Sequence, residues 1–254
     1  MIVTAEAVVL RTRKFRDTSL LATLLTRQQG KIDVIAKGAR DRKSRIGPAL
    51  QPMNHVTIVF YHKTTRDLQL LTQCDLVRAY RGLSDDMERM AAGMAAIELV
   101  DAVTPDEETN EELFELLTQT LSAVNGATKN ARNALYYFEM RLLQNLGFKP
   151  DLHVCCLCAT PLGGGAPVRG AHMSIHGIVC ASCAGKGLGM EPLSAPAVRV
   201  LQRLQETENP ESCTRWTLTP HVRGEVAGVL RRFLLGHVEG LRTLRSEAVF
   251  SSLL

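Results

Sequence analysis

The chain has 254 residues, of which 45% are hydrophobic and 22% are charged. This length exceeds the usual size of one domain, and the composition is that of a globular protein rather than a disordered chain, so we expect two or three folding units. The sequence shows no charged leader and no stretch of about 18 uninterrupted apolar residues, which excludes a membrane span. We expect a cytoplasmic protein, in which cysteines stay reduced.

The net charge of +4 is unevenly distributed along the chain. Residues 1–80 carry 14 Lys and Arg against 6 Asp and Glu, a net charge of +8, whereas residues 81–254 carry 16 against 20, a net charge of −4. This division favours a polyanion bound to the first part, and nucleic acid is the commonest polyanion of the cytosol. Charge alone leaves open the alternative of a solvated basic face.

The first 80 residues contain short runs rich in Val, Ile, Leu and Thr that are separated by turn signals. These runs predict five strands, at residues 2–10, 19–26, 31–36, 55–61 and 68–74. Five short strands indicate a small closed barrel, for which the OB-fold is the usual nucleic-acid binder and the SH3-like barrel is the alternative. The run at residues 19–26 also fits a short helix.

From about Arg81 the apolar period lengthens to three or four residues, which predicts helices. The first helix carries a predicted core stripe of Met87, Met90, Met94, Ile97 and Val100. Thr104 begins a sequence that resembles a capping box for a second helix. Gly147 is predicted to end a third helix, and Ser194 to cap a fourth.

These patterns together predict an α+β protein with several domains. We expect an OB-fold barrel at residues 1–80 and a helical domain in two parts, residues 81–150 and 192–254. A cysteine-rich segment at residues 151–191 interrupts the helical domain.

Four cysteines form the most specific motif in the chain. Cys155 and Cys158 make one C-x-x-C pair, and Cys180 and Cys183 make a second after 21 intervening residues. Paired knuckles at this separation place four thiolates tetrahedrally around zinc. Because four thiolates close the coordination shell, we expect one structural Zn²⁺ and no catalytic metal.

Neighbouring residues leave alternatives for this site. A pair of disulfides is disfavoured in a reducing compartment. Three histidines offer a Cys₃His site instead, namely His153, His172 and His176. Cys156 is excluded from the ligand set, because one residue between it and Cys158 would strain the turn.

The second informative stretch is the basic loop, residues 37–45, in which five of nine residues are Lys or Arg. Gly38 and Gly47 bracket it as a loop that leaves a barrel strand, where such barrels grip single strands through phosphate contacts. Its cations are Lys37, Arg40, Arg42, Lys43 and Arg45. A second basic cluster consists of Arg11, Arg13, Lys14 and Arg16.

Motifs of enzymes are absent from the sequence. It contains no H-E-x-x-H, no G-x-S-x-G, no complete phosphate-binding loop and no zinc-deaminase pattern. The sequence therefore predicts a binding protein and not an enzyme.

The basic loop, the stretch Tyr137-Phe138-Glu139 through Gly147 to Pro150, and the paired knuckles resemble the bacterial RecO family of recombination mediators. The resemblance runs through nearly the whole chain in the right order. It implies an OB-fold, a helical domain with a zinc segment and no enzymatic activity, and it assigns DNA contacts to the basic loop and metal ligation to the four cysteines. Asp41 interrupts a loop that is more uniformly basic in the family.

The resemblance also implies a role in DNA repair and partners for that role. Such proteins bind single- and double-stranded DNA and anneal complementary strands at the nucleoid. They contact the acidic C-terminal tail of single-strand-binding protein and act with RecR, and so, indirectly, load RecA.

Two other functions remain as alternatives. A basic barrel with a Cys₄ knuckle pair also occurs in zinc-ribbon modules of transcription or translation, and a nuclease is the second alternative. Strand annealing without nucleotide or divalent metal distinguishes a mediator from both.

Overall fold

The computed structural model describes residues 1–106, 108–162, 171–174, 177–184, 191–238, 241 and 244–246. The chain forms two compact units, Met1–Ala127 with residues 244–246, and Thr128–Arg242. Among the described residues, no helix is both long and apolar enough to cross a membrane. The four-segment domain division stays a prediction, because a compact unit is not shown to fold alone.

The first unit contains a closed five-stranded barrel. Its strands are β1 (Ile2–Phe15), β2 (Ser19–Thr26), β3 (Gly30–Ala36), β4 (His55–Tyr61) and β5 (Leu68–Arg78). They follow the order β1-β2-β3-β5-β4, and a short helix, α1 (Ile46–Ala49), lies between β3 and β4 in sequence. This architecture confirms the predicted OB-fold. The run at residues 19–26 is strand β2 and not a helix.

Strand β1 extends further than predicted. Residues 2–8 of β1 pair with β4, and residues 7–15 pair with β2 with a bulge between Val9 and Arg11. Four of the five added residues are polar, so the local sequence gives no strand signal there. They are a strand because they pair with β2. Pairing with β2 therefore continues β1 as far as Phe15, directly before the turn into β2.

The barrel interior is filled by alternate side chains of each strand. In β4 the inward residues Val56, Ile58 and Phe60 are fully buried, as the period of two predicts. Ala39 and Leu50, which follow β3, belong to the same core. The backbone on both sides of residues 40–45 is thus fixed to the barrel.

Two helices, α2 (Met87–Val103) and α3 (Glu111–Gly126), complete most of the first unit. The predicted capping box is wrong: the Asn110 side chain caps α3 by accepting from the Leu113 N–H at 2.9 Å. Thr104 instead follows the end of α2, where its N–H donates to the Val100 carbonyl. Residue 106 forms a β-bridge to Lys31 of the barrel, and this long-range contact delays the next helix.

The buried face of α2 differs from the predicted methionine stripe. Met87 is 63% exposed, because it lies in the first turn. Ile97 and Val100 are buried as predicted, and alanines fill most of the remaining core face. Near the end of the chain, the Ser246 N–H and hydroxyl donate to the Glu98 carboxylate of α2 at 2.9 and 2.8 Å.

Gly30 lies so close to the Glu108 backbone that a larger residue at this position should destabilise the protein. Its φ is +67°, and an added Cβ would lie 2.4 Å from the Glu108 carbonyl oxygen. We expect Gly30→Ala to destabilise the protein by about 3 kcal/mol or more, because backbone strain adds to a clash that only backbone movement relieves. Urea unfolding measures this change. Gly126→Ala, where an added Cβ meets nothing within 4 Å, is the control, and equal midpoints for the two variants would contradict the prediction.

The second unit is helical with a small sheet. Its helices are α4 (Arg132–Asn145), α5 (Ala181–Ala184), α6 (Ala195–Glu206), α7 (Pro210–Cys213) and α8 (Pro220–His237). Strands β6 (Ala171–Ser174), β7 (Gly177–Val179) and β8 (Glu191–Leu193) pair in the order β7-β6-β8. Gly147, with φ +86°, follows the end of α4, and Ser194 caps α6, which confirms both predicted signals.

Candidate metal centre and nucleic-acid interface

The four predicted cysteines lie together in the second unit. The Sγ atoms of Cys155, Cys158, Cys180 and Cys183 all lie within 4.8 Å of one another. The Sγ atoms of Cys158 and Cys180 are 3.7 Å apart, close to the separation of about 3.8 Å that follows from tetrahedral bonds of about 2.3 Å to zinc. The cluster can therefore hold a metal ion.

The first knuckle is a tight backbone loop. The Cys155 N–H donates to the Thr160 carbonyl, and the Ala159 N–H donates to the Cys155 carbonyl, both at 2.8 Å. Ala159 adopts a left-handed conformation with φ +57°, which turns the chain back on itself. The two sulfurs of this pair thereby face the same side of the loop.

The second knuckle joins a strand to a helix. Cys180 follows β7, and Cys183 lies in the first turn of α5. The Cys180 N–H donates to the Cys155 sulfur at 3.3 Å, and the Cys156 N–H donates to the Ile178 carbonyl at 2.9 Å. Hydrogen bonds within the protein thus hold the two knuckles beside each other, independently of a bound metal.

Helix α6 holds the segment in place. The Gln202 side-chain amide donates to the carbonyls of Leu152 and Leu162, both at 2.7 Å, and the Gln205 amide donates to the Pro150 carbonyl at 2.8 Å. Leu152 and Leu162 are buried. The knuckle loop is therefore anchored at both of its ends to one rigid helix.

The thiols influence one another strongly. Hydrogen bonds from Thr160 lower the pKa of the Cys158 thiol to about 6. The hydrogen-bonded neighbours Cys158 and Cys180 raise the pKa of Cys183 to about 12. Burial opposes ionisation of Cys155, but N–H groups led by that of Cys180 outweigh it and lower its pKa. A bound cation would favour the thiolate form of all four, so this donor set fits a soft divalent metal.

The alternative ligands are placed differently. His153 Nε2 lies 3.8 Å from the Glu206 carboxylate, and His153 is not in the cluster of four thiols. The His172 side chain and His176 lie outside the described residues. Cys156 is half-buried and is not a member of the cluster.

The basic loop and the end of β1 lie side by side on the barrel. The Arg40 N–H donates to the Thr18 carbonyl at 2.8 Å, which joins the loop to the hairpin turn, residues 16–18, between β1 and β2. All the predicted cations of both clusters are exposed, namely Arg11, Arg13, Lys14, Arg16, Lys37, Arg40, Arg42, Lys43 and Arg45. The two clusters that sequence separates thus form one basic surface.

Arg11 differs from the other cations of this surface. Its Nε lies 2.9 Å from the Asp101 carboxylate of α2. Lys31, at the start of β3, lies within 3.8 Å of the same carboxylate. The Asp101 carboxylate neutralises charge on this side of the barrel, so the remaining positive charge of the basic surface lies toward the hairpin turn.

The second unit also contains a pocket that the sequence did not reveal. Its volume is about 470 Å³, and it lies between α6 and the segment that leads into α8. Arg203 stacks over the Trp216 ring at 4.2 Å, and the buried Asn133 amide fixes the Trp216 carbonyl at 2.8 Å. The lining residues are Pro196, Arg199, Val200, Arg203, Trp216, Thr217, Leu218, Thr219 and Val222. An apolar pocket with two guanidinium groups suits an anionic ligand that has an apolar group.

Family comparison covers nearly the whole chain. Residues 1–80 match the family model described as Recombination protein O N terminal, and residues 84–247 match that described as Recombination protein O C terminal. The two matches together include both the barrel and the cluster of four cysteines.

Individual relatives agree with this assignment. The chain is 32% identical to the DNA repair protein RecO of Symbiobacterium thermophilum, over 98% of this chain and 96% of the relative. It is 30% identical to the protein of the same name from Chloroherpeton thalassium, over 100% and 99% of the two chains. The corresponding protein of Salinibacter ruber is 31% identical over 99% and 94%. The chain therefore belongs to the RecO family of DNA repair proteins.

Proposed function

We propose that this protein is a non-enzymatic recombination mediator of the cytoplasm, at the nucleoid. It binds single- and double-stranded DNA and anneals complementary strands. With RecR it helps to load RecA onto strands coated by single-strand-binding protein. The observation that carries this proposal is the joined basic surface of the barrel, formed by the basic loop and the hairpin turn.

The chemistry of that surface suits annealing. Exposed Arg and Lys side chains contact phosphates, which carry no sequence information, and leave the base edges free to pair. Neutralised phosphates also reduce the repulsion between two approaching strands. Arg42, Lys43 and Arg45 are the side chains that we assign to these contacts, with Lys37, Arg13 and Lys14 beside them.

We further propose that the four cysteines hold one structural zinc ion. Thiolates are ligands that zinc favours, and four of them leave no coordination position for water. When bound, the metal supplies cross-linking between the two knuckles and no chemistry on DNA. The Gln202 and Gln205 side chains of α6 then keep the helix and the knuckle loop in one arrangement.

An annealing assay tests the proposed function. The protein should accelerate pairing of complementary DNA oligonucleotides without nucleotide or divalent metal, and leave their length unchanged. Strands shortened in Mg²⁺ would indicate a nuclease. A clear preference for RNA would indicate the zinc-ribbon module of transcription or translation.

We assign the acidic tail of single-strand-binding protein to the pocket beside Trp216. Carboxylates of the tail pair with Arg199 and Arg203, and its apolar side chains enter between Val200 and Leu218. Burial of an apolar anchor inside a charged rim is a common arrangement of binding hot spots.

A charge reversal tests this assignment. We expect Arg199→Glu to weaken binding of a fluorescent tail peptide about tenfold or more, because the peptide then meets a like charge. Fluorescence anisotropy measures the affinity. Arg215→Glu, an exposed arginine outside the pocket lining, should change it little. Equal losses in both variants would show general charge attraction and contradict the assignment.

A further inference from the structure

Arg40 differs from the other cations of the basic loop in what it contacts. Its Nη1 donates to the Arg16 carbonyl at 3.2 Å and to the Asp17 carbonyl at 2.9 Å. Its backbone N–H donates to the Thr18 carbonyl at 2.8 Å. One residue therefore satisfies three consecutive carbonyls of the hairpin turn.

The turn needs these donors because of its shape. Arg16 adopts a left-handed conformation with φ +51°, which is uncommon for a residue with a Cβ atom. That conformation turns the chain from β1 into β2 over three residues, and the carbonyls of those three residues all meet Arg40. A carbonyl that loses its protein partner must find water or change its direction.

The basic loop, which contacts the hairpin turn through Arg40, is also fixed in position. Ala39 is buried in the barrel core, and an added Cβ at Gly47 would lie 2.1 Å from the Ala39 carbonyl oxygen. The Ser44 N–H closes a further turn onto the Asp41 carbonyl at 2.9 Å. Arg40 is thus the point at which a rigid loop meets the hairpin turn.

We infer that Arg40 is a positioning residue that joins the basic loop to the hairpin turn and so aligns the phosphate-binding side chains of both. This inference rests on the proposed DNA binding and changes the role predicted for Arg40, from a phosphate contact to a connection within the protein. The direct contacts then fall to side chains such as Arg42 and Lys43.

A direct phosphate contact by Arg40 and a positioning role predict different effects of Arg40→Lys. Lysine binds phosphate as a point charge, so a direct contact would survive Arg40→Lys. Both side-chain bonds of Arg40 come from Nη1, and a lysine ammonium ends about one bond short of that atom, near the position of the arginine Cζ. A lysine therefore does not reach the two carbonyls from the same backbone position. A positioning role therefore makes Arg40→Lys nearly as harmful as Arg40→Ala.

Single-stranded DNA binding by the full-length protein, measured against salt, gives the first readout. We expect Arg40→Lys and Arg40→Ala each to lose about fivefold to tenfold in affinity, which is the effect of losing about one hydrogen bond to a phosphate. The salt slope of Arg40→Lys should flatten by at least about 0.7, although its charge is kept, because displaced neighbours lose a phosphate contact. Arg81→Lys, at an exposed arginine outside the basic surface, is the matched control and should bind as the wild type does.

Amide hydrogen exchange of the DNA-free protein gives the second readout. Exchange in residues 38–45 should accelerate about tenfold in both Arg40 variants and stay unchanged in Arg42→Lys and Arg42→Ala. A melting temperature within about 2 °C of the wild type would show that the barrel itself is intact.

Each outcome decides between the roles. Weak DNA binding with faster exchange in Arg40→Lys supports positioning. Wild-type affinity in Arg40→Lys overturns it, and so does weak binding with unchanged exchange, since Arg40 would then contact DNA directly. A wild-type protein that binds no DNA overturns the proposed function itself, which separates the two failures.

Discussion

Replacing Cys158 with serine is expected to remove the metal and to unfold the knuckle segment. Structural zinc contributes on the order of 10 kcal/mol to the folding of small sites, and a serine hydroxyl is a poor substitute for a thiolate. Protein purified without chelator should carry about one zinc per chain, and the variant much less. Metal analysis by mass spectrometry, with thermal melting and limited proteolysis, measures these effects.

The neighbouring thiol provides the control for this experiment. Cys156→Ser removes a cysteine that is not in the cluster and should keep both metal and melting temperature. DNA affinity of Cys158→Ser should fall less than its stability, because the proposed DNA contacts belong to the first unit. A metal-free wild type, or a disulfide between the knuckles under reducing conditions, would refute the zinc assignment.

Removal of three cations from the basic loop should have the largest effect on DNA binding. Each phosphate contact to single-stranded DNA adds about −0.7 to the slope of log K against log salt. Changing Arg42, Lys43 and Arg45 together to alanine should flatten the slope by about two and weaken binding to every sequence alike. Fluorescence anisotropy across a salt series measures both quantities.

Because these three side chains are exposed, the triple variant should keep the stability of the wild type. The triple variant should melt close to the wild type, as surface substitutions usually do. A control with the same loss of charge, at the exposed residues Arg81, Lys129 and Lys149, should retain most of the slope. Should the loop variant keep wild-type affinity and slope, the contact surface would have to be sought at Arg13 and Lys14.

Local sequence patterns predicted the parts of the fold whose cause is local. Strands β2 and β4 were predicted with their observed bounds, because turn signals bound both runs, although the run of β2 also fits a short helix. The cluster of four cysteines was predicted by spacing alone, since two short knuckles carry their own geometry. The Ser194 cap of α6 was predictable for the same reason, because its hydrogen bond joins residues only three positions apart.

Features that depend on distant partners were not predictable in this way. The polar end of β1 is a strand only because β2 pairs with it. Thr104 has the local signature of a cap, but the barrel contact at residue 106 overrides it. The stack of Arg203 on Trp216 and the bonds from Arg40 to the hairpin turn join residues that no pattern relates. The pocket and the hydrogen bonds of Arg40 could therefore be found only from the structure.

The contact of Ser246 with Glu98 has a consequence for synthesis on the ribosome. The first unit begins at the amino terminus, but this serine is made only after the whole second unit has been translated. Until then the Glu98 carboxylate of α2 lacks two of its donors. Translation order thus makes completion of the first unit a late event, and proteins stalled before residue 246 should be more sensitive to protease at α2 than the released chain.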